Sequence, residues 1–452
     1  MDEREFDVVV IGAGAPGEVI AGRLGEAGVS VAIVEERLVG GECSFYACMP
    51  SKALLRPLEI RAEAARVKGV RVDDELDVPV VLARRDEVIH DLDDSTQVPW
   101  LTDRGVRLVR GHGRLDGERR VTVGDEALVA RKAVVVATGS AAAIPPLPGL
   151  AESRPWTNIE ATTAKHVPGR LAILGGGVVG VEMAQAWAAL GSQVTLVHRG
   201  DRLIEREEPF AGEQVADALR EYGVDLRFET SVASVARNGA VTLELEGGGS
   251  VEADELLVAI GRAPRTADVG LDTVGLEPGK HVQVDESLRV PGKDWLYAVG
   301  DVNGRALLTH MGKYQARLAA DAIMGKSVRL RSDGDASPRV IFTDPQVGAV
   351  GLTLAAAEEA GLPVRTVEVD TGGNAGGSFV GKNAPGTARL VVDEDRRIVV
   401  GATITGAEIA EALHAATVAV VSEVPLDDLW HAVPAFPTRS ELWLRLLEAY
   451  GL

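Results

Sequence analysis

The chain has 452 residues, too many for one core, and the length predicts about three domains. A composition of 46% hydrophobic and 25% charged residues reads as soluble and globular. The formal net charge of −20 argues against nucleic acid or an anionic membrane surface as a partner.

No apolar run reaches the ~18 residues that a membrane span needs. The opening "MDEREFDVVV" is acidic and then becomes a buried strand, unlike a signal peptide, so the cytosol is the expected compartment. Structural disulfides are rare there. The only two cysteines, Cys43 and Cys48, are therefore expected to be catalytic or metal-binding.

In chain order, "FDVVVIGAGAPGEVIAGRLGEAGVSVAIVEE" predicts a strand, a G-x-G-x-x-G turn at Gly12, Gly14 and Gly17, a helix and a second strand. That strand ends in Glu35, eighteen residues past Gly17. Amides at a helix N-terminus cradle a pyrophosphate, and a carboxylate at the next strand end holds a ribose hydroxyl, so the unit predicts a dinucleotide site.

"GGECSFYACMPSK" follows and carries both cysteines. A metal site needs three or four ligands, and the eight histidines are scattered away from this stretch. Two unpaired buried thiols and a redox disulfide remain. In an ideal helix, residues five apart have Cα atoms ~8.7 Å apart, beyond the limit of about 7 Å for a disulfide. A bonded pair therefore requires the chain to leave helical geometry at Cys43, and Gly40, Gly41 and Pro50 favour that. A helix starting near the cysteines also favours a thiolate.

Further on, "AVVVATGS" (Ala133 to Ser140) predicts a strand running into a small-residue turn. "RLAILGGGVVGVEMAQAWAALGSQVTLVHRGDR" repeats the dinucleotide pattern with Gly175, Gly177 and Gly180. Only the first site is followed by a cysteine motif, so a flavin dinucleotide is expected there and a nicotinamide one at the second. At the second, the strand-end acid is missing; His198 and Arg199 stand in its place, with Arg202 close behind. Cations there suit a 2′-phosphate and predict NADPH, with NADH still tolerated. "LYAVGDV" is a further strand whose Asp301 is placed to bond a ribityl hydroxyl. "RLRSDGDASPRV" reads as a linker, and the remainder mixes strands such as "ARLVVD" with helices such as "AEIAEALHAATVAVV".

The cysteine stretch resembles the G-G-x-C-x4-C-x-P-[ST]-K signature of the class I pyridine nucleotide–disulfide oxidoreductases, which include lipoamide dehydrogenase, glutathione reductase and mercuric reductase. The similarity covers nearly the whole chain, through both glycine motifs, "ATGS", "AIGRAPRT", "YAVGDV", "VIFTDPQVGAVGLT" and "GATITGAEIAE". It implies FAD with its pyrophosphate on Gly12 to Gly17, its adenosine ribose on Glu35 and its ribityl chain on Asp301. Gly41, Gly113, Ala137, Thr138, Gly139 and Thr309 complete the implied cofactor residues of that site, and Gly261 joins those of the second. Cys48 would face the flavin as the charge-transfer thiol, and Cys43 would be the interchange thiol. Lys52 matches the lysine beside the flavin N5, and Glu182 its ion-pair partner; a cation there stabilises the anionic reduced flavin. Val178 stands where glutathione reductases carry a gating tyrosine.

Two departures matter. The family's C-terminal H-P-T-x-S-E supplies, from the partner subunit, a histidine as acid/base and a glutamate that orients it. Here "AFPTRSE" puts Phe436 in the histidine's place and keeps Glu441. Losing a general acid/base typically costs about 10²–10⁴ in rate, which disfavours glutathione- or lipoamide-like disulfides unless His431 or Tyr46 substitutes. Mercuric reductases often carry an aromatic residue here, but this chain ends at "LEAYGL" without their C-terminal cysteine pair. The relative that carboxylates 2-ketopropyl-coenzyme M also has phenylalanine, paired with a histidine where this chain has Glu441. Between the cysteines, Phe45 and Tyr46 replace a usually small insert, either lining the thiol pocket or packing.

The expected fold is α/β: two Rossmann-like, doubly wound dinucleotide-binding domains and a C-terminal α+β dimerisation domain. The expected segments are an FAD domain (1–150), an NAD(P) domain (151–270), a return to the FAD side (271–336) and an interface domain (337–452). The expected function is an FAD-dependent NAD(P)H oxidoreductase, homodimeric, passing electrons through a Cys43–Cys48 disulfide to a quinone, metal ion, thiol adduct or unusual disulfide. A lipoamide-type dehydrogenase with a substitute base, and a flavin-binding scaffold with little turnover, are the alternatives.

Overall fold

The computed structural model describes residues 2–73, 75–381 and 384–452. Its chain divides into two compact units.

The first unit holds the chain up to Pro50, Asp86–Ala143 and Arg262–Gly334. Its main sheet runs in the order Val106–Arg110, β2 (Val31–Glu35), β1 (Asp2–Ile11), Glu126–Val136 and Leu296–Ala298, all parallel. The short strands Arg120–Val123 and Gly113–Leu115 extend it antiparallel. The parallel strands are buried and rich in valine and isoleucine, as a sheet covered on both faces requires. Ile11 lies opposite both Val34 and Val136 in the register, so the three central strands end together. The first glycine turn leaves from that shared carboxyl edge, the place where open α/β sheets bind ligands. Helix α1 (Ala15–Glu26) follows at once, with Pro16 in its first turn, where no N–H is needed.

The second unit holds Ser51–Arg85, Ile144–Gly261 and Asp335–Leu452. It repeats the arrangement in a smaller parallel sheet, Asp225–Arg227, Gln193–Val197, Arg170–Leu174 and Glu255–Val258. Leu174 pairs with both Val197 and Val258, and the second glycine turn starts there. A three-stranded antiparallel sheet (Val232–Ala253) and a five-stranded antiparallel sheet complete the unit. The five-stranded sheet includes Thr387–Asp393 and Ile398–Gly406 and is packed by the helix Ile409–Val421.

Sequence alone put Ser51–Arg85 in the flavin segment. In the structure it clusters with the second unit, because Leu54, Leu55 and Leu58 are buried in one core with Val181, Trp187 and Ile341. The insert runs from Ile144 to Gly261, and the boundary at Asp335 falls inside the expected linker. None of the described helices is long and apolar enough to cross a membrane.

Candidate active site

The two glycine turns solve the same problem with the same atoms. Gly12 has φ +101°, and a side chain on it would place its first carbon 2.5 Å from Ala137 O. Gly175 has φ +115° and meets Ala259 O at the same 2.5 Å. A first carbon on Gly17 would sit 1.9 Å from Gly12 O, and on Gly180 1.9 Å from Gly175 O, so helix and strand pack only with glycine there. Gly14 and Gly177 differ: Gly177 has nothing within 4 Å, and Gly14 only Gly41 Cα at 4.0 Å. Their backbones face open space at a helix N-terminus, the cradle a pyrophosphate requires.

At the end of β2, Glu35 Oε2 accepts Ala13 N–H at 2.7 Å and Oε1 accepts Arg37 N–H at 2.8 Å. Burial pushes its carboxyl up, and the two backbone donors only partly offset this. Asp301 accepts Ser140 Oγ–H at 2.5 Å. Burial raises it too, with Ser140 and Arg262 pulling the other way. Gly139 has φ +70°, and Thr138 Oγ1 donates to Arg265 O at 2.7 Å, which fixes the "ATGS" turn on "AIGRAPRT". A first carbon on Gly113 would lie 3.0 Å from Val34 and 3.1 Å from Ile11, and Gly261 has φ +147°.

The cysteines lie on the first turn itself. Gly40 and Gly41 have φ +109° and +63°, and a side chain on Gly41 would strike Gly14 Cα at 2.7 Å. Helix α2 (Gly41–Phe45) contains Cys43, and helix α3 (Cys48–Arg66) begins at Cys48. The expected departure from helix is present but falls at Tyr46 and Ala47, between the cysteines, rather than at Cys43. Both cysteines are thiols and are close enough to hydrogen-bond. That bond, and then burial, pushes the Cys43 thiol up, while Thr309 and Lys313 act against it. Cys48 stands at a helix start, whose dipole favours a negative charge. Thr309 Oγ1 lies 3.4 Å from Cys48 Sγ.

Phe45 is fully buried, and Tyr46 carries the Arg37 guanidinium 4.9 Å above its ring. Both rings are used in packing within this unit.

One carboxylate here had no role in the sequence reading. Glu42, between Gly41 and Cys43, accepts Arg262 Nη2 at 2.5 Å and Arg265 Nη2 at 2.7 Å. Arg262 Nε also donates to Ser140 Oγ at 2.6 Å. A continuous polar chain thus joins the cysteine helix to Asp301. Burial raises the Glu42 carboxyl, and the two guanidiniums outweigh it, leaving it below the usual carboxylate range. The signature gives that position as any residue, and its partners are more than 200 residues away in sequence, so only an acid beside the cysteines hinted at it.

In the second unit, Lys52 Nζ donates to Glu182 Oε2 at 2.7 Å and sits 4.6 Å from the centre of the Phe342 ring. Glu182 Oε1 accepts Phe342 N–H at 2.9 Å. Glu182 is thus a buried, fully engaged carboxylate rather than a surface charge. Val178 opens the helix Val178–Ala189 and is exposed. His198 Nδ1 accepts Gly176 N–H at 3.2 Å; Arg199 is exposed; Arg202 donates to Glu205 O at 2.8 Å.

Phe436 is 77% exposed in the chain, beside the exposed Val433. Glu441 is buried, and its Oε2 accepts Gly376 N–H at 3.1 Å. His431 ends the helix Leu426–His431 on the surface.

Two dinucleotide cradles, one with a dithiol built onto its turn, define a flavin- and nicotinamide-linked reductase. The chain belongs to the pyridine nucleotide-disulphide oxidoreductase family: the family model matches residues 6–323, and the family's dimerisation domain matches residues 337–446. It is 30% identical to a dihydrolipoyl dehydrogenase of Chlamydia muridarum, over 97% of this chain and 95% of that one. It is also 30% identical to a mercuric reductase of Staphylococcus aureus, over 97% and 81%. Among solved structures, the Cu(II) complex of the HOCl-induced flavoprotein disulfide reductase RclA from Escherichia coli superposes with a TM-score of 0.86, at 25% identity over 98% and 99%. Members of the family bind FAD and NAD(P)H, and both glycine cradles fit such groups. The dimerisation domain supports a homodimer.

Proposed function

We propose that the chain is an FAD-dependent NAD(P)H oxidoreductase that passes electrons through the Cys43–Cys48 pair to an acceptor whose reduction needs no histidine acid. Such acceptors are a quinone, a metal ion, a metal–thiol adduct or an unusual disulfide. The observation that carries the reading is the thiol pair itself, hydrogen-bonded together on the first glycine turn.

Bound FAD supplies the chemistry that turns a hydride into a pair of electrons. Cys48, with Thr309 beside it and a helix start behind it, would be the thiol that faces the flavin. Cys43 would engage the acceptor. Oxidation of the pair to the disulfide releases two electrons and two protons; reduction takes up both. Lys52 carries a fixed positive charge one turn beyond Cys48 on α3, and Glu182 limits the cost of keeping it. Phe436 has no proton to give, so the pair hands on electrons without a C-terminal acid.

The dihydrolipoyl dehydrogenase relative favours a second reading, a lipoamide-type enzyme in which His431 or Tyr46 replaces the histidine. Steady-state assays with NADH and NADPH against quinone, lipoamide, glutathione disulfide and mercuric ion separate the two. The first reading expects slow disulfide reduction that Phe436→His raises by tenfold or more, a part of the roughly 10²–10⁴ range for an acid/base. Fast lipoamide turnover in the unmodified protein overturns it. Negligible flavin reduction by either nucleotide overturns both and leaves a scaffold.

A further inference from the structure

The two glycine turns can be compared atom by atom, and the comparison isolates one residue. In the first, the middle N–H of the turn, on Ala13, donates to the strand-end acid Glu35 at 2.7 Å. In the second, the matching N–H, on Gly176, donates to His198 Nδ1 at 3.2 Å. His198 stands eighteen residues past Gly180, just as Glu35 stands eighteen past Gly17. An accepting Nδ1 carries no proton of its own, so the ring's N–H in this arrangement is on Nε2.

His198 Nε2 lies 3.3 Å from Glu205 Oε1 without a hydrogen bond between them. Two features bear on that carboxylate. A first carbon on Gly200 would fall 1.6 Å from Glu205 Oε1, so a side chain there would push the carboxylate aside. Ile204 N–H donates to Gly176 O at 2.9 Å, fastening the loop that carries Glu205 to the same turn. Arg202 binds the Glu205 carbonyl, so it does not neutralise the carboxylate through that bond.

We propose that Glu205, held against His198, supplies the carboxylate missing from the strand end and reads the 2′ position of the nicotinamide nucleotide, accepting the 2′-hydroxyl of NADH and repelling the 2′-phosphate of NADPH. This rests on the reading of the second turn as the nicotinamide nucleotide site. It reverses the preference expected from sequence. Of the three residues proposed for a 2′-phosphate, His198 has its Nδ1 taken by the Gly176 N–H, Arg202 is engaged at a backbone oxygen, and Arg199 alone stands exposed.

The test uses the FAD-loaded protein and two readouts: the rate of flavin bleaching by NADH and by NADPH, and calorimetric affinity for ADP-ribose and its 2′-phosphate. NADH should be preferred by the unmodified protein. Glu205→Gln removes the charge, and Gly200→Ala displaces the carboxylate while keeping it. Each should lower the preference about tenfold, as expected for one partly solvated charge beside a phosphate. Glu205 is half exposed, so its substitution leaves the core intact. An NADPH preference lost in Arg199→Gln overturns the proposal, as does a ratio unmoved in both variants. If neither nucleotide bleaches the flavin but the fragment affinities still follow Glu205, the proposed function falls and this inference stands.

Discussion

Lys52 Nζ and Glu182 Oε2 are 2.7 Å apart, and the second oxygen of Glu182 accepts the Phe342 amide, so each oxygen of the buried carboxylate has a partner. Lys52 is about a third exposed and Glu182 almost fully buried. Glu182→Gln should cost roughly 1–2 kcal/mol of stability, well under a fully buried pair, because water screens the lysine. Lys52→Met should slow flavin reduction by nucleotide at least about tenfold and make the flavin potential more negative. Redox titration and stopped-flow bleaching read both, and an unchanged potential would remove Lys52 from the flavin.

The order of ionisation at the cysteines has a spectroscopic consequence. Cys43 is pushed up by its bond to Cys48 and by burial, and the proposed function puts the thiolate on Cys48. Cys43→Ser should show a long-wavelength thiolate–flavin band in the oxidised protein, and Cys48→Ser should lack it before and after two-electron reduction. The reverse pattern exchanges the two roles.

Glu42 binds two guanidiniums, and all three side chains are less than about a third exposed. Glu42→Gln leaves two cations facing a neutral amide and should cost about 2 kcal/mol. Arg265→Gln should cost less, and the double variant should fall short of the sum, because the residues touch. Flavin release on heating provides the measurement; strict additivity would deny the coupling.

Glu18, in the first turn of α1, is pushed up to about 7, first by burial and then by Glu35 and Asp94, with Lys313 opposing. Its proton is held more tightly in the folded chain than in the unfolded one. Stability from this group is therefore fully present at pH below the usual carboxylate range and is lost as pH rises through about 7. Relative to the unmodified protein, Glu18→Gln should gain stability between pH 5 and pH 8. Parallel thermal scans across that range detect it, and a constant difference at every pH would contradict it.

The cradles were legible because a glycine turn is a local backbone problem. Gly12 and Gly175 need positive φ, and Gly17 and Gly180 need the absence of a side chain, all within a few residues of the strands they follow. The cysteine motif was legible for the same reason, though the helix break fell at Tyr46 and Ala47, where the backbone relaxes before α3 starts. Membership of Ser51–Arg85 was not legible. An amphipathic helix shows that Leu54 and Leu58 are to be buried, but not against which core.

Sequence by itself determined two glycine turns after strands, a pair of cysteines beside the first, and a phenylalanine at position 436, since each is a spacing or an identity along the chain. Only the tertiary structure decided that Glu42 is held by Arg262 and Arg265, that Glu182 is bound by Lys52 and Phe342, and that His198 turns its ring onto Gly176 with Glu205 behind it. A charge read from a string of residues has a sign but no partner. The partner, and with it the chemistry, is set when the fold brings distant side chains within hydrogen-bond reach.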